Sequence, residues 1–211
     1  AMGGASKLWL HYALSSLQSD LQDRLILRRG SAEQILGELI DETGAQQVTM
    51  TRCYAPHQLK TDRNIQQKLK EKGVKVTVET GNLLWEPEQI TKQDGTPYKV
   101  FTPFYRRGCL AADPPRQPLP HANIEFFTEK DIRSLRIEAL DLKPSLNWTD
   151  EVASKWDISE TGAKTALQRF IMSDHSDGLS DYAEGRNFPS KTATSRSVSY
   201  THLRAHETSG Y

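Results

Sequence analysis

Two short β-type runs, "QQVTMTR" (Gln46 to Arg52) and "VKVTVET" (Val74 to Thr80), stand on either side of one polar helical stretch. Valines at alternate positions of the second run fit the two-residue period of a strand. The stretch from about Pro56 to Lys72 has apolar anchors at Leu59, Ile65 and Leu69, and Gly73 closes it. A third aliphatic run, "RLILRRG" (Arg24 to Gly30), precedes another helical pattern in which Ile35, Leu36, Leu39 and Ile40 share a face and Gly44 is the stop. Ser31 and Gln34 have the spacing of a capping box at its start. Upstream, Leu10, Leu14, Leu17 and Leu21 place a helix over about Ser6 to Gln22. Strands separated by helices pair in parallel and are covered on their faces by those helices. The expected fold class is therefore α/β, a doubly wound parallel sheet. Its strands fall at Arg24 to Arg29, Gln46 to Thr51 and Val74 to Val78. Such a sheet ordinarily opens on a strand; this chain opens on a helix, so the sheet is expected to be incomplete.

The texture changes after "DPPRQPLP" (Asp113 to Pro120), a proline-rich linker. Beyond it Thr128 and Asp131 are placed to cap a short helix, and Trp148 and Trp156 are isolated aromatics. Ala163, Leu167, Phe170 and Ile171 then form a helical face behind Ser159, with no strand pattern in sight. Residues from about Ser145 onward read as the start of a helical domain. A hydrophobic content of 36% is low for a compact domain and fits sizeable loops or an incomplete core. Lys plus Arg and Asp plus Glu balance at 27 each, so charge supplies no case for non-specific nucleic-acid binding. Cys53 and Cys109 form no disulfide framework and no metal spacing, which suits a reducing, cytoplasmic setting. No apolar run is long enough to span a membrane.

Local chemistry is sparse. "RRGSAEQ" is an ordinary strand-to-helix turn before it is an anion site. The six histidines, His11, His57, His121, His175, His202 and His206, never meet cysteine or carboxylate at metal spacing. Lys60, Arg63, Lys68, Lys70 and Lys72 are interleaved with acidic and polar residues, as on a solvated helix face. "GTPYKVFTPFYRR" carries Tyr98, Phe101, Phe104 and Tyr105, with Pro97 and Pro103 opposing a regular helix. Those aromatics are expected to cover the sheet edge. In "YAEGRNFPSKTATSR", Thr194, Ser195 and Arg196 follow twelve residues behind Tyr182. Two hydroxyls and a guanidinium suit a phosphate, although spacing alone makes the segment a polar loop.

Three segments together resemble the DNA photolyase and cryptochrome flavoproteins. "GGASKLWLHYALSSL" is similar to the family's "GGAS-x-WWLH-x-SL". "NLLWEPEQITKQDGTPYKVFTPFYR" is similar to its "LL-x-EP…G-x-x-Y-x-VFTPF". "YAEGRNFPSKTATSR" resembles "Y-x-x-x-RD-x-P…GTSRLSPYL". Order and spacing agree from about Gly3 to Arg196, and the wording is nearest a class I-like microbial cyclobutane pyrimidine dimer photolyase. The resemblance implies a truncated α/β antenna domain over residues 1–112, an interdomain linker over 113–144 and the start of an all-helical FAD-binding domain over 145–196. It implies that Tyr182, Thr194, Ser195 and Arg196 face the FAD diphosphate, with no catalytic residue and no metal ligand in this stretch. It also implies a second antenna chromophore, a folate or a deazaflavin; Glu79 lies near the place of a folate-binding carboxylate but not on it. For the parent protein it implies a monomeric deoxyribodipyrimidine photo-lyase acting on UV-damaged DNA. The alternatives are a cryptochrome-type blue-light receptor without repair and a (6-4) photolyase.

The family's leucine after "TSR" is Ser197 here, and the expected continuation does not follow. "VSYTHLRAHET" (Val198 to Thr208) can be encoded by one frame of a transposase-type sequencing adapter. Residues 197–211 are therefore expected to be a non-native tail without a packed apolar face, and the chain an internal fragment of a longer protein.

Overall fold

The computed structural model describes residues 2–197 apart from 82, 118, 120, 121, 129–131, 146 and 174–177. The expected tail after Ser197 lies outside the described residues, as does Asp131 of the Thr128/Asp131 cap. The fold divides into two compact units. One runs from Arg29 to the linker; the other joins the start of the chain, as far as Arg28, to everything from Ile132 on.

The first unit is a short α/β assembly. Helix α2 (Ala32–Thr43) ends where Gly44 turns left-handed at φ 70° and its N–H donates to the Ile40 carbonyl. Glycine reaches that conformation without a Cβ penalty. Strand β1 (Gln47–Thr51) follows, then helix α3 (Pro56–Glu71), whose proline at the first position needs no N–H. Gly73, at φ 77°, ends that helix and leads into strand β2 (Lys75–Glu79). The strands pair in parallel, from Gln47 opposite Lys75 to Thr51 opposite Glu79. The core is Ile40 of α2, Ile65 and Leu69 of α3, and Val74, with Val48, Met50 and Val76 packed against it from the strands. Ion pairs from Lys68 to Glu33 and from Lys72 to Asp41 tie α3 to α2 across their exposed rims. The basic residues of α3 are thus a solvated face, as the interleaved charges implied.

Three local expectations are corrected. Ser31 precedes α2, but its side chain makes no capping bond. "RLILRRG" is not a strand; the Leu27 N–H donates to Ser134 Oγ at 2.8 Å and the Leu27 carbonyl accepts from Leu135 N–H at 2.8 Å. The backbone groups that a sheet would have used go to a segment more than a hundred residues away. The aromatic stretch does not line the sheet edge. Phe101–Pro103 (α4), a wide turn at Phe104–Gly108 and a tight one at Cys109–Ala111 wind into one irregular helix. Pro103 sits in its first turn, where a missing N–H is harmless. Tyr98 meets Phe104 edge-on at 6.3 Å, and Phe101 stacks on Tyr105 at 5.8 Å. Gly108 is required there, because a Cβ would lie 2.7 Å from Ile90 Cγ2.

The second unit is helical, with no strand among its described residues. Helix α1 (Gly4–Asp20) buries Leu8 and Trp9. Trp9 meets Trp156 edge-to-face at 5.5 Å, and Gly4 faces the Trp148 ring. The two tryptophans that are isolated in sequence therefore anchor α1 to helix α5 (Trp148–Lys155) and the residue after it. A boundary at the linker would leave α1 with the sheet, whereas its packing groups it with these helices. Helix α6 (Glu160–Met172) starts as expected behind Ser159, whose Oγ accepts from Gly162 N–H at 2.8 Å. Replacing Ser159 with alanine is expected to destabilise this unit by about 1 kcal/mol, the usual worth of an N-cap. The urea midpoint followed by far-ultraviolet circular dichroism checks it, and an unchanged midpoint means the cap is not needed.

Candidate functional site

Ser195 and its neighbours are positioned by the short helix α7 (Tyr182–Gly185), onto which the following loop folds back. Ala193 is fully buried against Gly185, where any Cβ would overlap it. Lys191 Nζ bonds Asp181 Oδ2 at 2.9 Å at the near end of the same loop. The loop then presents Thr194, Ser195 and Arg196 to one wall of a cavity of about 340 Å³. The end of α5 supplies a second wall, with Lys155, Trp156 and Asp157, and α6 a third, with Gly162, Thr165, Arg169 and Phe170.

Arg196 takes a left-handed backbone, φ 54°, that a residue with a side chain seldom adopts. Strain of this kind is held by surrounding structure and gathers at functional sites. Here it leaves the guanidinium 5.8 Å above the Trp156 ring, inside cation–π range. Tyr182 does not line the cavity. Its ring lies edge-on to Phe170 at 6.0 Å and under the Arg186 guanidinium at 5.2 Å. The structure therefore brings Thr194, Ser195 and Arg196 together, with Tyr182 behind them through Phe170. The sequence does not single out Lys155, Trp156 or Arg169 as site residues. For Arg169 the signal is helical spacing in "ETGAKTALQRF": Gly162, Thr165, Ala166 and Arg169 share one stripe of α6, small residues leading to a cation.

Chemically, the cavity offers hydroxyl donors and guanidinium groups, which fit phosphate oxygens. At about 340 Å³ it lies at the small end of ligand pockets, roughly 300–1,000 Å³. The rings of Trp156 and Phe170 make part of its lining apolar. The described residues hold no group of three or more potential metal ligands, and no described helix is long and apolar enough to cross a membrane.

A second polar cluster stands at the carboxyl end of β1, where open α/β sheets receive ligands. Tyr54 O–H donates to Glu86 Oε1 at 2.7 Å, and Arg52 reaches Glu86 Oε2 at 2.6 Å. Burial, then the bond to Glu86 and that carboxylate's charge, push the Tyr54 phenol up to about 12. The hydrogen bond from Tyr54 holds Glu86 below the ordinary carboxylate range, with Arg52 assisting. Because the folded phenol titrates above its unfolded value of about 10, its contribution to stability is complete below about pH 10. That contribution is lost as pH rises through about 12. In an alkaline absorbance titration, Tyr54→Phe is expected to remove only the part of the phenolate signal that develops near pH 12; loss of signal near pH 10 instead would show that Tyr54 is not held neutral.

The family model for DNA photolyase matches residues 1–123, more than half of the chain. The chain belongs to the DNA photolyase family. Within the photolyase and cryptochrome group it is 38% identical over 214 residues to the deoxyribodipyrimidine photo-lyase of Agrobacterium fabrum, an alignment covering 99% of this chain and 43% of that protein. A solved bacterial class III photolyase from Agrobacterium tumefaciens superposes with a TM-score of 0.78 at 37% identity, over 95% of this chain and 41% of that one. Cryptochrome-2 of Arabidopsis thaliana is 27% identical across 95% of this chain and 34% of its own length. This photolyase-family chain thus spans less than half the length of each of these relatives. Its α/β class, parallel strands and family match the reading from sequence.

Proposed function

We propose that this chain is part of a light-driven DNA-repair flavoprotein, a deoxyribodipyrimidine photo-lyase that splits cyclobutane pyrimidine dimers. The observation that carries the reading is the cavity that gathers Thr194, Ser195 and Arg196, three of the four residues that the family pattern assigns to the FAD diphosphate, the fourth being Tyr182. Identity of 38% to a protein named deoxyribodipyrimidine photo-lyase supports repair over signalling. The solved class III photolyase favours that subclass over the class I-like one suggested by sequence wording. In the whole protein, residues 1–112 would contribute to the antenna-binding domain, 113–144 to the linker and 145–196 to the start of the FAD domain. The antenna would be a folate or a deazaflavin. The partner would be UV-damaged DNA, bound by a monomer in the cytoplasm.

Bound FAD supplies, in its reduced and excited form, the electron that opens the dimer. This chain's residues hold its phosphate end. Thr194 and Ser195 donate hydroxyl hydrogen bonds, and Arg196 offers a planar fork. The loop is fixed by Ala193 against Gly185, so these donors are arranged before the ligand arrives. Tyr182, behind Phe170, positions the α6 wall.

The chain by itself is expected to purify colourless, because a cavity of about 340 Å³ is too small to enclose a whole flavin dinucleotide. A yellow protein with stoichiometric flavin would overturn that. In the full-length parent, Arg196→Ala is expected to weaken flavin retention by roughly 1.5–3 kcal/mol, the worth of a charge-assisted contact. Unchanged occupancy would remove Arg196 from the site. Illumination of the flavin-loaded parent with a dimer-containing oligonucleotide tests the reaction. Restored bases support repair, whereas photoreduction without repair supports the cryptochrome reading, which the Arabidopsis similarity favours.

A further inference from the structure

We infer that Arg169 is a second phosphate-binding cation in this cavity, acting with Arg196 on the two phosphates of a diphosphate. The inference rests on reading the cavity as a phosphate site. Its first support is placement. Arg169 projects from α6 into the cavity that Arg196 enters from the loop, so two guanidinium groups approach from two different walls. Below it on α6 stand Thr165 and Ala166, whose small side chains leave the space open, while Gly162 lets the Asp157 backbone pack against the helix. A diphosphate carries charge on two phosphorus centres, and one Arg fork satisfies only one of them.

The second support is charge balance. Among the described residues, Lys155, Arg169 and Arg196 line the cavity against a single carboxylate, Asp157. That carboxylate accepts the Ser159 hydroxyl at 2.6 Å. Lysines of this unit are neutralised by neighbours: Lys155 by Glu151 and Lys164 by Glu160, each at 2.6 Å, and Lys191 by Asp181 at 2.9 Å. Among the described residues neither Arg169 nor Arg196 has a carboxylate partner. The two cations left uncompensated in the cavity are thus the two best shaped for bidentate phosphate binding. The ligand class is a nucleoside diphosphate or a dinucleotide carrying one.

The test is calorimetric titration of the 211-residue chain with ADP, and with adenosine as the control that lacks phosphate. ADP is expected to bind, with adenosine at least about tenfold weaker. Arg169→Gln is expected to weaken ADP by roughly tenfold or more, the fold equivalent of one charge-assisted contact. Arg169→Lys, which keeps the charge but not the fork, should recover part of the loss; circular dichroism on both variants confirms that they fold. If Arg169→Gln and Arg169→Lys both bind ADP as the parent does while Arg196→Ala is weakened, Arg169 has no part and the phosphate reading stands. If the parent binds ADP no better than adenosine, the cavity is not a phosphate site and both readings fall.

Discussion

Leu69→Ala is expected to cost the α/β unit about 2–5 kcal/mol, the range for truncating a buried leucine. Leu69 is 3% exposed, and among the described residues Ile40, Ile65 and Val74 share the buried cluster with it. Leu36, Ala45, Val48, Met50 and Val76 pack against the cluster from its rim, and how far they close over the space decides where in that range the loss falls. The loss is to be compared with a whole-domain stability of about 5–15 kcal/mol. The unit should therefore lose much of its folded population at moderate urea, while Arg63→Ala, on the exposed face of the same helix, should stay within about 0.5 kcal/mol. A Leu69→Ala midpoint indistinguishable from that of Arg63→Ala would mean that the two-stranded sheet is not held by this cluster.

The same cluster shows why part of the fold is legible in the sequence. Leu69 and Ile65 sit one helical turn apart, Gly44 and Gly73 take positive φ at the two helix ends, and alternation marks β2. All of these are local signals. "RLILRRG" carries the same local signal and is no strand, because its backbone partners are Ser134 and Leu135. Local periodicity reports which residues seek burial, not which distant segment meets them. Trp9 and Trp156 make the same point from the other direction. Neither belongs to a long apolar run, yet they meet across most of the chain.

The site divides along the same line. Thr194, Ser195 and Arg196 are contiguous, so their residue types alone suggest a phosphate. Tyr182 has the right spacing but stands behind Phe170 rather than in the cavity wall. Arg169 belongs to the wall, yet in sequence it is one more cation on an amphipathic helix. What distinguishes it is the absence of a described carboxylate partner, a property only folding reveals.

Gly162→Ala is the sharper test of how the cavity is built. Alanine favours a helix interior over glycine by about 1 kcal/mol, so propensity alone predicts stabilisation. The structure predicts the opposite. A Cβ at this position would overlap the Asp157 carbonyl oxygen and approach the Asp157 Cβ at 2.8 Å. Backbone cannot rotate away as a flexible side chain could, so residues 157 to 159 must shift. Ser159 caps α6 through the Gly162 N–H, so that shift strains the cap as well. Overpacking of this kind costs about 1–3 kcal/mol, and a strained cap adds up to about another 1. Together these outweigh the propensity gain, and the net change is expected to be a destabilisation of about 1–3 kcal/mol. That corresponds to a fall of several degrees in the melting temperature, at roughly 2–4 °C per kcal/mol for a chain of this size. Because Gly162 and Asp157 also line the cavity, ADP affinity should fall in the same variant. A rise in melting temperature would show that the α5–α6 turn yields freely, and that the wall carrying Lys155 and Asp157 is not fixed by the start of α6.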